Sequence, residues 1–124
     1  MIAKDRVVDM AELLFLTESK RSALLKKGNA KAANRAFERI DELFAEVIQL
    51  KMELPVYEYL IGKDVPEVTL MISTKMMIYG HSGAEDELIR LASTDLGLSG
   101  FFAQIFLDEW RKGNITLMKR PDMP

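Results

Sequence analysis

The only histidine of the chain, His81, is the first residue to consider for chemistry, because histidine can act as a general base or a metal ligand near neutral pH. No serine is spaced to meet it as a nucleophile, and a zinc centre needs several converging His, Asp or Glu ligands. Gly80 and Gly83 bound a turn but match no phosphate-binding loop. We therefore expect a non-enzymatic protein with no catalytic residue, metal or cofactor, in which His81 has a surface or capping role.

A run of carboxylates, Glu85-Asp86-Glu87, is the other group with metal-ligating chemistry. The run opens a predicted helix, where negative side chains interact favourably with the positive end of the helix dipole. Helix stabilisation and solvation therefore explain these residues without a bound ion.

Positive charge is concentrated in one segment, although the net charge of −2 gives no global attraction to nucleic acid or membrane. Seven cations and a single acid, Glu38, lie between residues 20 and 39; the cations are Lys20, Arg21, Lys26, Lys27, Lys31, Arg35 and Arg39. Such a cluster is typical of a phosphate-binding patch. The alternative, which we favour, is that Arg35 pairs with Glu38 and Arg39 with Glu42 along a solvated helix face.

The elements that position these residues are all helical. Hydrophobic periodicity predicts helices at residues 5–27, 30–53, 55–61, 64–79, 84–93 and 99–112. Polar capping residues precede three of them: Asn29, Asp64 and Ser82. Glu67 and Glu85 follow Asp64 and Ser82 by three residues, which predicts a capping box at each of these helix starts.

Two of the predicted helices carry most of the apolar residues. In the fourth, Lys75 is the only charge between Val68 and Tyr79, and a helix that is apolar all round is a central one. In the sixth, three- and four-residue spacing predicts one buried face, which consists of Phe102, Ala103, Phe106, Leu107 and Trp110. The structural core is therefore expected around these two helices.

Tyrosines are the best candidates for contacts with another molecule. Tyr59 is out of phase with the inward residues of the short third helix, so we expect it to be exposed. Regular stacking of the helices would bring it near the turn that holds Tyr79 and His81. Because exposed tyrosines are good interface anchors, we predict a partner-binding surface at Tyr59, Tyr79 and His81.

The sequence from Leu54 to Gly113 contains two similar predicted helix pairs in succession. Val68 and Phe102 are 34 residues apart, and so are Met76 and Trp110. A period in the thirties is typical of stacked helix pairs, in which equivalent positions form the core. We therefore predict an all-α fold of about six helices in three stacked antiparallel pairs.

Length and composition predict one domain over residues 1–117 and a flexible tail at residues 118–124. The chain has no cysteine, which suits a reducing compartment. The charged N-terminus lacks the apolar run of a signal peptide, and no apolar stretch approaches the ~20 residues that cross a bilayer. These observations predict a cytoplasmic protein that does not enter a membrane.

Three segments resemble a small family of bacterial HEAT-like helical proteins of unknown function. They are residues 28–37, residues 64–68, and the run from Phe101 to Gly113. The resemblance covers roughly residues 5–117, and Asn34-Arg35 and Glu109-Trp110 are its most specific parts. The resemblance implies that the three helix pairs form a HEAT-like right-handed stack. The chain departs from the family at Ser73-Thr74, where an Ala-Ala pair is frequent.

The two specific pairs suggest a structural role. Glu109 falls on the border of the apolar arc of the last helix, and a partly buried carboxylate needs a partner. Arg35 or Asn34 could supply that partner. We therefore predict a structural lock, formed by Asn34, Arg35, Glu109 and Trp110, that ties the last helix to the second.

Three functions remain open at this point. HEAT-like proteins of this kind resemble the antidotes, or immunity proteins, that bacteria encode beside toxins, so the first is a module that binds another protein, namely a toxin encoded nearby. The second is a helical scaffold or regulatory homo-oligomer. The third is a nucleic-acid-binding module that uses the basic segment between Lys20 and Arg39.

Overall fold

The computed structural model describes residues 2–118, with side chains described from Arg6 onward. This part of the chain contains six α-helices and no strand, which confirms the predicted all-α class. The helices are α1 (Ile2–Lys26), α2 (Ala30–Gln49), α3 (Glu53–Ile61), α4 (Pro66–Ile78), α5 (Glu85–Thr94) and α6 (Leu98–Arg111), with a short 3-10 turn at Ser82–Ala84. Each predicted helix is present, and most helix ends lie within a few residues of their predicted positions.

The chain forms two compact units, one of residues up to Lys63 and one that begins at Asp64. The predicted single domain, antiparallel pairing and right-handed stack remain predictions. Of the predicted tail, Met118 is described, and its backbone N–H donates to the carbonyl of Ile78 at 2.9 Å. The rest of that tail lies outside the described residues.

In the first unit, α1 packs against α2 and α3. α2 has a continuous buried face: Ala33, Ala36, Ile40, Leu43, Phe44, Val47 and Ile48. Phe37 is in phase with this face in the sequence, yet its side chain is exposed. The guanidinium of Arg21 lies 5.8 Å from the centre of the Phe37 ring, a cation–π contact that accounts for an aromatic side chain at the surface.

The predicted caps are correct at one helix and wrong at two. Asn29 accepts a hydrogen bond from the N–H of Ala32 at 3.1 Å and caps α2 as expected. Asp64 has a φ of 54°, and Val65 is the residue that precedes α4, so the carboxylate lies one position too early to cap. Ser82 makes no capping bond because a 3-10 turn separates it from α5.

In the second unit, α4 is the central helix. It packs against α5 and α6, and its apolar residues are buried around most of its circumference: Val68, Met71, Ile72, Met76 and Met77. This arrangement agrees with the absence of a polar face in its sequence. The core prediction fails for Phe102 in α6, whose side chain is exposed, while Trp110 is half-buried and stacks on Phe106 with ring centres 6.3 Å apart.

Candidate protein-docking face

Helix α6 carries apolar residues on two opposite faces. The face turned into the second unit consists of Gly100, Ala103 and Leu107, all buried. These small or aliphatic residues follow three- and four-residue spacing, so they form one stripe on the helix. Because the larger aromatic residues are out of phase with this stripe, packing of α6 against α5 leaves them at the surface.

The opposite stripe of α6 forms what we call the α6 docking face: Leu98, Phe101, Phe102 and Ile105. Their side chains are 72%, 59%, 49% and 43% exposed, in chain order. The rings of Phe101 and Phe102 lie 5.6 Å apart at a tilt of 60°, so they form one aromatic surface. Contiguous exposed apolar residues of this size mark interaction sites in proteins.

The spacing of the α6 docking face has a specific meaning. Leu98, Phe101, Phe102 and Ile105 occupy positions i, i+3, i+4 and i+7, the anchor positions of an amphipathic helix that lies in an apolar groove of its partner. The preceding loop extends the same apolar character, since Leu96 is fully exposed. An Asx turn, in which Asp95 accepts from the N–H of Gly97 at 2.8 Å, holds this loop.

Two carboxylates end the α6 docking face. Asp108 and Glu109 follow Ile105 by three and four residues and therefore continue the same row. Asp108 accepts from the side chain of Gln104 at 2.9 Å, and Glu109 accepts from Asn114 at 2.7 Å. Lys112 lies 3.7 Å from Glu109 and offsets its charge, so Asp108 is the carboxylate that leaves negative charge at this end of the face.

The predicted partner residue Tyr59 is engaged inside its own unit. Its hydroxyl donates to Oε2 of Glu12 at 2.5 Å, and the same oxygen accepts from Nζ of Lys63 at 2.7 Å. The two donors lower the pKa of Glu12 below its ordinary value, first through Lys63 and then through Tyr59. The hydrogen bond to Glu12 raises the pKa of Tyr59 and that of Lys63. Tyr59 is thus a half-buried link between α1 and α3.

Tyr79 and His81 lie together in the connection between α4 and the 3-10 turn. Both are half-buried, and the backbone N–H of His81 donates to the carbonyl of Met76 at 2.8 Å. The hydrogen bond fixes the path of the chain after α4. A partner-binding role for Tyr59, Tyr79 and His81 remains a prediction.

The predicted structural lock also remains a prediction. Asn34 and Arg35 are exposed on α2, and Trp110 is half-buried on α6. The carboxylate of Glu109 accepts from Asn114 and lies 3.7 Å from Nζ of Lys112, so partners close in the sequence already stabilise its charge. The half-buried position of Glu109 agrees with its placement at the border of the apolar arc.

The expected ion pairs of the basic segment do not form. Within the described chain, neither Arg35 with Glu38 nor Arg39 with Glu42 approaches to the 4 Å of an ion pair, and all four side chains are exposed. A solvated pair at this spacing contributes only about 0.2–0.5 kcal/mol, so hydration competes with it effectively. Arg35 and Arg39 are therefore available to other anions.

Lys75 is the one charged residue within the apolar run of α4, and its side chain is partly buried. Burial lowers the pKa of Lys75 to about 8, because transfer of an ammonium group from water penalises its charged form. This lysine therefore exchanges its proton closer to neutral pH than an ordinary lysine does.

Among the described residues, no group of three or more His, Asp or Glu side chains could hold a metal ion, and no helix is long and apolar enough to cross a membrane. Comparison of the chain with protein-family models, with curated proteins and with solved structures finds no match.

Sequence reasoning missed the α6 docking face because the sixth helix is apolar on both sides. The predicted face combines residues of two stripes: Ala103 and Leu107 are buried as predicted, whereas Phe102 belongs with Phe101 and Ile105 on the exposed stripe. The available signal was Gly100. A glycine in a helix indicates close approach to another backbone, and it lies on the stripe that is buried.

Proposed function

We propose that this chain is a non-enzymatic protein-binding module that inserts the α6 docking face into an apolar groove of another protein. The observation that carries the proposal is the exposure of four large apolar residues at helix-anchor spacing: Leu98, Phe101, Phe102 and Ile105. Burial of these side chains in a complex would remove their apolar surface from water, which is the main driving force of association.

The charges at the end of the face define the partner further. Asp108 places negative charge near Ile105, so the partner groove carries a basic side chain at the corresponding end. Such a charge pair at the rim orients the helix in the groove, while the apolar anchors supply the affinity.

The partner that we propose is a bacterial toxin encoded by a neighbouring gene, which makes this chain a cytoplasmic immunity protein. The support is the resemblance of residues 5–117 to HEAT-like helical proteins that are similar to antidotes. A HEAT-like right-handed stack of three antiparallel helix pairs is part of the same proposal, and the 34-residue spacing of Met76, which is buried, and Trp110, which is half-buried, supports it.

The test is co-expression with the product of the adjacent gene, followed by measurement of toxicity and of complex mass by light scattering. We expect relief of toxicity and a stable complex. The variant Phe101→Ser/Ile105→Ser is expected to lose both. Its control is Leu13→Ser/Leu16→Ser, which removes two exposed apolar residues of α1 and is expected to bind normally. A toxic product that is neither bound nor neutralised would contradict the immunity function for that pair.

The alternative is a scaffold or regulatory homo-oligomer, in which the α6 docking face covers its counterpart on a second copy. The same apolar row favours this alternative, because two amphipathic helix faces can bury each other. Light scattering of the protein alone distinguishes the two. If the parent is a dimer and the variant Phe101→Ser/Ile105→Ser is a monomer, the result would support the homo-oligomer over the immunity protein.

A further inference from the structure

An open groove of about 300 Å³ lies between α1 and α2, in the first unit. Three cations border it: Lys20 from α1, and Arg35 and Arg39 from α2. No acidic side chain lines the groove. Because both helices contribute, the packing of α1 against α2 determines how closely the positive groups converge.

The two arginines are arranged along the groove. Arg35 and Arg39 are one helical turn apart, a rise of about 6 Å at 1.5 Å per residue, so both guanidinium groups project from the same side of α2. The residue after each arginine, Ala36 or Ile40, belongs to the packed face of α2, so the helix that carries the arginines is fixed in position. The arginines are therefore presented by a rigid element.

Neither Glu38, which is adjacent to Arg39 in the sequence, nor Glu18, the acid nearest to Lys20, lines the groove. Glu18 is fully buried and binds Arg21 through two hydrogen bonds, of 3.0 Å from Nε and 2.9 Å from Nη2. This bidentate ion pair neutralises the charge of Arg21, and Arg21 does not line the groove. Lys20, Arg35 and Arg39 make no ion pair among the described residues.

Three like charges beside one groove repel one another, and a multivalent anion would relieve this repulsion. Arginine forks match phosphate oxygens in a bidentate manner, and lysine binds phosphate as a point charge. The floor of the groove is apolar, with Leu24 and Ala36, and can contact an organic group. The volume lies at the lower limit of about 300–1,000 Å³ for ligand sites, which favours a small ligand.

We propose that this groove, formed by Lys20, Arg35 and Arg39 between α1 and α2, binds a small anion that carries two linked phosphate groups. The two arginines of α2 bind the phosphates, and Lys20 contributes a third positive charge from α1. Leu24 contacts the organic part of the ligand. This site is separate in the chain from the α6 docking face, and it does not depend on the function proposed for that face.

The experiment is an NMR titration of the complete chain with inorganic pyrophosphate at low ionic strength. We expect saturable shifts at the amides of Lys20, Arg35 and Arg39, and weaker binding as salt is added. Arg35→Gln/Arg39→Gln is expected to weaken binding by about tenfold or more, equivalent to ~1.4 kcal/mol. The control, Lys26→Gln/Lys27→Gln, removes the same charge from exposed positions outside the groove and is expected to bind as the parent does.

Three results would overturn the proposal. The first is the absence of saturable binding, or equal loss in the control variant, which would reduce the effect to net charge. The second is equally tight binding of sulfate at matched ionic strength, which would leave no preference for linked phosphates. The third is tighter binding of a single-stranded oligothymidine with shifts that extend over Lys26, Lys27 and Lys31, which would indicate a nucleic-acid surface instead. Circular dichroism of each variant verifies its fold.

Discussion

A Cβ atom on Gly100 would overlap the backbone carbonyl of Asp95, because the first turn of α6 lies directly against the end of α5. The carbonyl of Leu91 would also lie only 3.1 Å from that atom. Both obstacles are backbone atoms, which cannot move aside as a flexible side chain can. Gly100 thus sets how closely α6 approaches α5 and, with it, which face of α6 remains exposed.

We expect Gly100→Ala to destabilise the protein by at least ~2 kcal/mol, because the added methyl group forces α6 away from α5. Urea unfolding gives the change. Gly83→Ala is the control, since a Cβ at Gly83 meets no atom within 4 Å and its effect should be within about 1 kcal/mol. Equal stability of the Gly100 variant and the parent would contradict the close approach.

The orientation of α6 can be tested by one substitution on each face. Leu107→Ala removes a buried side chain and is expected to cost ~2–5 kcal/mol of unfolding free energy. Phe102→Ser changes an exposed side chain and is expected to cost less than ~1 kcal/mol. Denaturant unfolding of both variants measures the difference. The reverse order of costs would mean that the aromatic stripe, and not the stripe of Leu107, is the core.

The link between α1 and α3 predicts an acid dependence of stability. The folded-state pKa of Glu12 is lowered by Lys63 and Tyr59, so this carboxylate stabilises the fold above its ordinary pKa of 4.5. That stabilisation is lost as the pH falls through the lower folded-state value. In an NMR titration, Lys63→Met and Tyr59→Phe should each move the pKa of Glu12 back towards 4.5. Lys26→Met, which removes an exposed lysine that makes no ion pair with Glu12, should leave it unchanged.

The lowered pKa of Lys75 predicts that the stability of the fold also increases with pH in the alkaline range. Its folded-state pKa of about 8 lies below the ordinary 10.5, so the unfolded chain binds more protons between these values. Stability relative to a Lys75→Met variant should therefore increase as the pH rises from 8 to 10.5, by on the order of 1–2 kcal/mol, less than full linkage because the side chain is partly exposed.

The measurement is chemical unfolding of the parent and the variant at several pH values, so that other alkaline groups cancel in the difference. Lys75→Arg is the companion variant. Its charge persists through this range, and we expect its stability relative to Lys75→Met to stay level. If the difference in unfolding free energy between the parent and Lys75→Met did not change with pH, this result would contradict the lowered pKa.

The helical class and nearly all helix positions follow from local signals in the sequence. The apolar spacing of α2 and the unbroken apolar surface of α4 are read within one helix, and the Asn29 cap depends on residues three positions apart. Such signals need no knowledge of distant contacts. They therefore describe correctly where each helix runs and which helix is central.

The candidate sites depend on information that a single helix does not contain. Phe102 and Leu107 both satisfy helical periodicity, and only the approach of α6 to α5 at Gly100 decides that Leu107 is inside. In the same way, Tyr59 meets Glu12 across 47 residues, which converts a predicted surface anchor into an internal link. The sequence by itself determined the helices and their apolar stripes. Tertiary structure decided which stripe is buried and which charges converge, because packing energy is a property of pairs of helices.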